Sequence, residues 1–122
     1  MSDLTAYAKG AIGENAAADY LTAQGMQLIE ANYRVVGGEI DLILLDGNTL
    51  VFVEVKTRTH ANRLEAESAI TPVKKRRIQK AALQYLSERP QWISGLIRFD
   101  VVLLLSGQLV HIRDAFQGSE WF

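Results

Sequence analysis

The alternation of apolar and polar positions along the chain, and the places where it is interrupted, predict seven elements. From about Thr5 to Gln24 the sequence is Ala-rich and free of proline, and Gly25 is placed to end a helix. Met26–Arg34 reads as a strand, Gly37-Gly38 as a turn, and Glu39–Leu45 and Leu50–Thr57 as two strands around Asp46-Gly47-Asn48. Thr71 before Pro72 is an N-cap and first-turn signal for a second helix to about Glu88, which Pro90 stops. Leu96–Leu105 and Gln108–Arg113, split by Ser106-Gly107, are two further strands. The order α-β-β-β-α-β-β predicts an α/β sandwich, a mixed β-sheet flanked by two main helices. With no repeat, low-complexity tract or Pro/Ser-rich linker, residues 1–122 are expected to form a single domain.

The third strand carries charge where a buried strand would not. Side chains alternate between faces, so Leu50, Phe52, Glu54 and Lys56 share one face and Val51, Val53 and Val55 the other. Glu54 and Lys56 then project together, roughly 7 Å apart by strand rise. If Gly47-Asn48 is a two-residue turn, Asp41 lies opposite Glu54. If Asp46-Gly47 is the turn, it lies opposite Phe52, on the same face. Either register gathers Asp41, Glu54 and Lys56; a three-residue loop without a bulge does not. Facing carboxylates repel, and a divalent cation such as Mg²⁺ or Mn²⁺, which prefers hard oxygen ligands, removes the conflict. Lys56 would orient or help deprotonate an attacking water, or offset charge growing on a phosphate. The competing reading is a solvated strand edge with Asp41 as a turn residue.

Two segments weigh in favour of a site. Tyr7, Gly10, Glu14, Ala17 and Leu21, with Ala11 and Ala18 beside them, form one helical stripe in which Glu14 is the sole charge. A carboxylate on a packing face needs a partner, and a metal held by Asp41 and Glu54 would serve; the alternative is a Glu at the margin of the face. The run Lys74-Lys75-Arg76-Arg77-Ile78-Gln79-Lys80 puts five cations at the start of the second helix, where the helix dipole disfavours them and a phosphate would reverse the sign. Ile78, Ala82 and Tyr85 take the core side, so part of that run reaches any one ligand. Arg58, Arg34 and Arg63 widen the patch, with less weight.

Composition narrows the chemistry. Of 122 residues, 48% are apolar, enough for one core; none is cysteine, so disulfide and thiolate-metal chemistry are excluded and an intracellular setting fits. His60 and His111 are too few for a zinc cluster. With 13 basic and 14 acidic residues the net charge is −1, so local charge placement, not bulk attraction, must select any nucleic acid. The N-terminus lacks a basic-flanked apolar run and no segment approaches a membrane span, so a cytoplasmic protein without membrane association is expected. No G-x-G-x-x-G or Walker sequence is present to bind a nucleotide. Arg98, Asp100 and His111 are assigned to structure, and Trp92, Trp121 and Phe122 to the edge of a core or a chain end before base stacking.

Gly38-Glu39-Ile40-Asp41-Leu42-Ile43 followed by Val51-Phe52-Val53-Glu54-Val55-Lys56-Thr57-Arg58 resembles the PD-(D/E)XK nuclease signature. More narrowly the chain is similar to the YraN (UPF0102) family, itself similar to archaeal-type Holliday junction resolvases. The likeness includes Gly13-Glu14 with Ala17, Asn32-Tyr33-Arg34, Lys75, Arg77-Ile78, and Arg98-Phe99-Asp100-Val101-Val102. It implies a restriction-endonuclease-like core, with Glu14, Asp41, Glu54 and Lys56 as metal-binding and catalytic residues. Ile40 stands where the signature has proline, and His60–Glu67 lacks the Phe-Gly often found in relatives. The function expected is metal-dependent hydrolysis of DNA, in preference to RNA, at branched structures. Lys74, Lys75, Arg76, Arg77, Lys80 and Arg58 would contact the backbone, and a homodimer would cut both strands. The rival expectation is a nucleic-acid-binding module that keeps the fold without cleaving.

Overall fold

The computed structural model describes residues 6–58, 70–92 and 95–116, with side chains from residue 12 onward. The expectations about Tyr7, Gly10, Ala11, Arg63, the His60–Glu67 segment, Trp121 and Phe122 lie outside the described residues or side chains.

The Ala-rich segment is helix α1 (Ala6–Ala23). It stops where Gly25 takes a left-handed backbone (φ 99) and the Met26 N–H donates back to the Leu21 carbonyl at 3.2 Å. Strands β1 (Gln27–Val35), β2 (Gly38–Asp46) and β3 (Thr49–Thr57) follow as a meander. Helix α2 (Pro72–Glu88) opens at Thr71, whose hydroxyl accepts the Lys74 N–H at 3.1 Å. After a single 3-10 turn (Pro90–Trp92), β4 (Leu96–Leu105) and β5 (Gln108–Ile112) close the order. All seven main elements end within two residues of the boundaries expected from the sequence.

The five strands lie in sequence order in one sheet, antiparallel throughout except for the parallel pair β3–β4. A parallel neighbour cannot be reached by a hairpin, and α2 belongs to the connection that makes the crossover. β3 is therefore the central strand. Its two faces feed two cores: Leu50 and Phe52 join Ile78, Ala82, Tyr85 and Leu86 of α2, whereas Val51 and Val53 join Ala17 and Leu21 of α1. The mixed sheet between two helices is the α/β core that the pattern predicted.

Two glycines set how closely the helices approach. A Cβ on Gly13 would lie 2.9 Å from Leu104 Cδ1, and one on Gly38 would lie 2.4 Å from the Arg77 carbonyl oxygen. The buried line of α1 is thus Gly13, Ala17 and Leu21, with Glu14 half-buried at its margin. Of the two readings of Glu14, the structure takes the one at the margin of the packing face, and Gly13 joins the buried line in its place. The Gly38 contact presses the first turns of α2 onto the start of β2. Trp92 packs against the α2-side core, as a residue plugging a core edge does.

Candidate functional site

The hairpin register decides what the acids can do together. Asp46 pairs with Thr49, leaving Gly47-Asn48 as a two-residue turn with left-handed backbone at Gly47 (φ 60), and the ladder runs to Leu42 opposite Val53. The next step in this register is Asp41 beside Glu54. There the ladder stops: Asp41 Oδ2 accepts the Val55 N–H at 2.8 Å, taking the place of a strand carbonyl. Simple alternation also fails at this point. Ile40 and Ile43 both belong to the α2-side core, three residues apart, while Leu42 belongs to the α1 side. Asp41 therefore sits in an irregular step of β2, where the strands part.

Glu54 is almost fully buried, 3% exposed, on the central strand. Its Oε1 lies 3.8 Å from Lys56 Nζ and 3.4 Å from Lys74 Nζ, its Oε2 is buried with no N–H or hydroxyl donor, and the Glu54 and Asp41 carboxyls share a side-chain hydrogen bond. Burial first, and then the charge of Asp41, push the Glu54 carboxyl up to about 8, although both lysines pull the other way. Burial likewise raises Asp41, against the Val55 N–H, and lowers Lys56 despite Glu54. At neutral pH, then, the protein holds two acids that resist carrying two negative charges. Adding a hard dication to such a pair reverses that conflict.

Glu14 is raised by burial and by Asp41, and its carboxylate takes a hydrogen bond from Asn32. It is partly exposed and within the field of Asp41. Among the described residues no three His, Asp or Glu side chains are placed to hold a metal ion by themselves. Asp41 and Glu54 are the closest pair of the three expected acids, and an ion held there would complete its shell with water and substrate oxygens.

The basic run divides. Lys74 reaches away from solvent to Glu54 and, at 3.8 Å, to Glu39, so it belongs to the acidic centre. Lys75 Nζ stands 5.6 Å over the Phe116 ring. Arg76, Arg77 and Lys80 are exposed, as is Arg58 at the end of β3. Lys74, Glu39 and Asn32 are the members that sequence reasoning missed as parts of this centre. Asn32 left one sign, since Asn tolerates the left-handed backbone it adopts here (φ 55).

This geometry can be set against known proteins. Residues 13–104 match the model of the uncharacterised protein family UPF0102. The chain belongs to the UPF0102 family. A UPF0102 protein of Rhodococcus opacus (strain B4) is 46% identical over 114 residues, covering 89% of this chain and 96% of the relative. Those of Alkalilimnicola ehrlichii (strain ATCC BAA-1101 / DSM 17681 / MLHE-1) and Geobacter metallireducens (strain ATCC 53774 / DSM 7210 / GS-15) are each 43% identical, over 104 and 112 residues. They cover 85% and 88% of this chain, and 82% and 91% of the relatives. The crystal structure of SSO0001 aligns at a TM-score of 0.45 with 17% identity, over 93% of this chain and 55% of that one, too distant a likeness to carry an argument. The UPF0102 match spans Glu14, Asp41, Glu54, Lys56 and the whole of α2. Among the described residues no helix is long and apolar enough to cross a membrane.

Proposed function

We propose that this UPF0102 protein is a Mg²⁺- or Mn²⁺-dependent endonuclease that hydrolyses DNA phosphodiesters, with branched DNA as its substrate class. The single observation that carries the reading is Glu54: a buried carboxyl on a central strand, set against a second acid, Asp41, with no N–H or hydroxyl donor on its Oε2. Two acids pressed together in the interior resist ionising, and a divalent ion is the ligand that lets both do so.

Asp41 and Glu54 would hold the ion, with Glu14 adding negative charge beside them. When bound, the ion supplies Lewis-acid polarisation of the phosphate and a more acidic water. Lys56, held beside Glu54 and made less basic by burial, orients the attacking water or offsets charge on the phosphate. The exposed Arg76, Arg77, Lys80 and Arg58, with Lys75, contact the backbone and make binding salt-sensitive. Cutting both strands of a junction requires two such sites, which a symmetric homodimer provides.

The test is incubation of purified protein with labelled linear, flapped and four-way DNA in Mg²⁺ or Mn²⁺, beside Asp41→Asn and Lys56→Ala. Each substitution is expected to reduce cleavage by about a hundredfold or more. Cleavage undiminished in both would mark a contaminant. Binding without cutting on every substrate and metal would make the protein a non-catalytic nucleic-acid module.

A further inference from the structure

Lys74 reaches the acidic centre from α2, on the other side of the sheet from α1. Its backbone is fixed, because its N–H is bound by the Thr71 cap and Pro72 starts the helix. Its ammonium is not fixed in the same way: the side chain is 26% exposed and spans two carboxylates at 3.4 and 3.8 Å, both beyond ideal hydrogen-bond length. Lys56, by contrast, grows from the same strand as Glu54 and is 20% exposed beside a single carboxylate, the 3.8 Å pair with Glu54. The two lysines crowd one oxygen of Glu54, a buried carboxyl set against the second acid, Asp41.

From this placement, and resting on the metal-site reading above, we infer that Lys74 is a resident counter-cation that competes with the divalent ion for the Asp41–Glu54 pair. In the metal-free protein its positive charge stands in for part of the missing dication. An arriving ion must displace it, since a dication and an ammonium repel at such distances. The four-carbon stem lets the ammonium move outward, toward Arg77, exposed one turn further along α2 on the neighbouring face. A phosphate held by Arg77 gives the displaced ammonium a new partner. Metal and nucleic-acid binding then favour one another through one side chain, each by the same factor. The device keeps the site from loading fully until a phosphate backbone is present.

The experiment compares wild type, Lys74→Met and Asp41→Asn by calorimetric titration with MnCl₂ in the absence of nucleic acid. A parallel thermal-unfolding series in chelator uses wild type, Lys74→Met, Glu54→Gln and the double variant. Removing the ammonium is expected to tighten Mn²⁺ binding about tenfold, and Asp41→Asn to weaken it. In chelator, Lys74→Met should lower the melting temperature in the wild-type background and lower it by less beside Glu54→Gln, where Glu39 and Asp41 still face the ammonium. If Lys74→Met binds Mn²⁺ no more tightly than wild type while Asp41→Asn is impaired, the competition is overturned and the metal site stands. If neither wild type nor Lys74→Met binds Mn²⁺, both fall. Should Lys74→Met fail to fold, Lys74→Gln carries the same expectation, and equal Mn²⁺ affinity in that variant overturns it.

Discussion

Two buried carboxylates on neighbouring strands, Asp100 and Glu54, meet the same physical problem and solve it in opposite ways. Asp100 is 0% exposed and accepts four hydrogen bonds. Arg98 Nε and Nη2 donate at 2.9 and 3.0 Å, the Asp114 N–H at 2.9 Å, and His111 Nε2 lies at 2.8 Å. Burial alone would push Asp100 up, but His111, Arg98 and the Asp114 N–H outweigh it and hold the carboxyl below its ordinary value. Asp46 extends the cluster, meeting Arg98 Nη1 at 3.1 Å and Arg113 Nη2 at 2.6 Å. Glu54, three ladder steps nearer the other end of β3 than Val51, the partner of Arg98, has a second acid beside it and no N–H or hydroxyl donor on its Oε2. A carboxylate saturated with donors is held ionised and ties strands together; one set against another acid is pushed toward its protonated form.

The largest effects should separate the two centres on stability. Asp100→Ala takes the buried acceptor from His111 and the Asp114 N–H and leaves Arg98 only its contact with Asp46, and is expected to cost about 3 kcal/mol. Glu54→Gln should do the reverse and stabilise the metal-free protein at alkaline pH, since it removes a buried charge beside Asp41. Denaturant unfolding of both variants in chelator checks the pair, and equal destabilisation would erase the distinction between them.

The pH dependence sharpens the same contrast. Glu54 is raised from 4.5 to about 8 in the folded protein, so the folded state holds its proton more tightly than the unfolded chain does. Its contribution to stability is full below about pH 4.5 and is lost as the pH rises through about 8. Asp41 and Glu14 shift in the same direction and add to that decline. Asp100 is lowered from 3.8, so its contribution is present above that value and lost as the pH falls below it. In chelator the melting temperature should therefore decline from mildly acidic to alkaline pH, less steeply in Glu54→Gln. Saturating Mn²⁺ should restore most stability at the alkaline end. A flat profile between pH 5 and 9 in wild type would count against the strain assigned to Glu54.

The smallest expected effect lies on the helix surface. Arg76→Ala with Arg77→Ala should leave stability nearly unchanged and weaken duplex DNA binding. The slope of log affinity against log salt should fall by about 0.9 for each phosphate contact removed. An unchanged slope would take these arginines out of the nucleic-acid interface and return them to a solvated face.

Much of this molecule could be read before its coordinates. The elements follow from local rules: an Ala-rich run with Gly25 behind it, Thr71-Pro72 at a helix start, Gly47 in a tight turn. Turn chemistry left two two-residue registers and a three-residue loop for β2 with β3, and the structure takes the register set by Gly47-Asn48. Asp41, Glu54 and Lys56 stood out because charge interrupts strands whose other residues are apolar. Whether Glu14 sits within the α1 packing face or at its margin stayed open, because helical spacing fixes which residues share a face, not which line of that face meets the sheet. Gly13 decided that, by letting α1 come close to Leu104.

By itself, then, the sequence determined the order of elements, the hairpin and the identity of the acids, because each depends on backbone preferences and periodicities a few residues long. Tertiary structure alone decided that β3 lies at the centre of the sheet, that the ladder parts at Asp41, and that Lys74 turns inward to Glu54 while Arg76 and Arg77 face water. It also decided which of two buried carboxylates would be satisfied and which left short. Those outcomes rest on contacts between residues distant along the chain, and burial in a shared interior gives each charge its meaning.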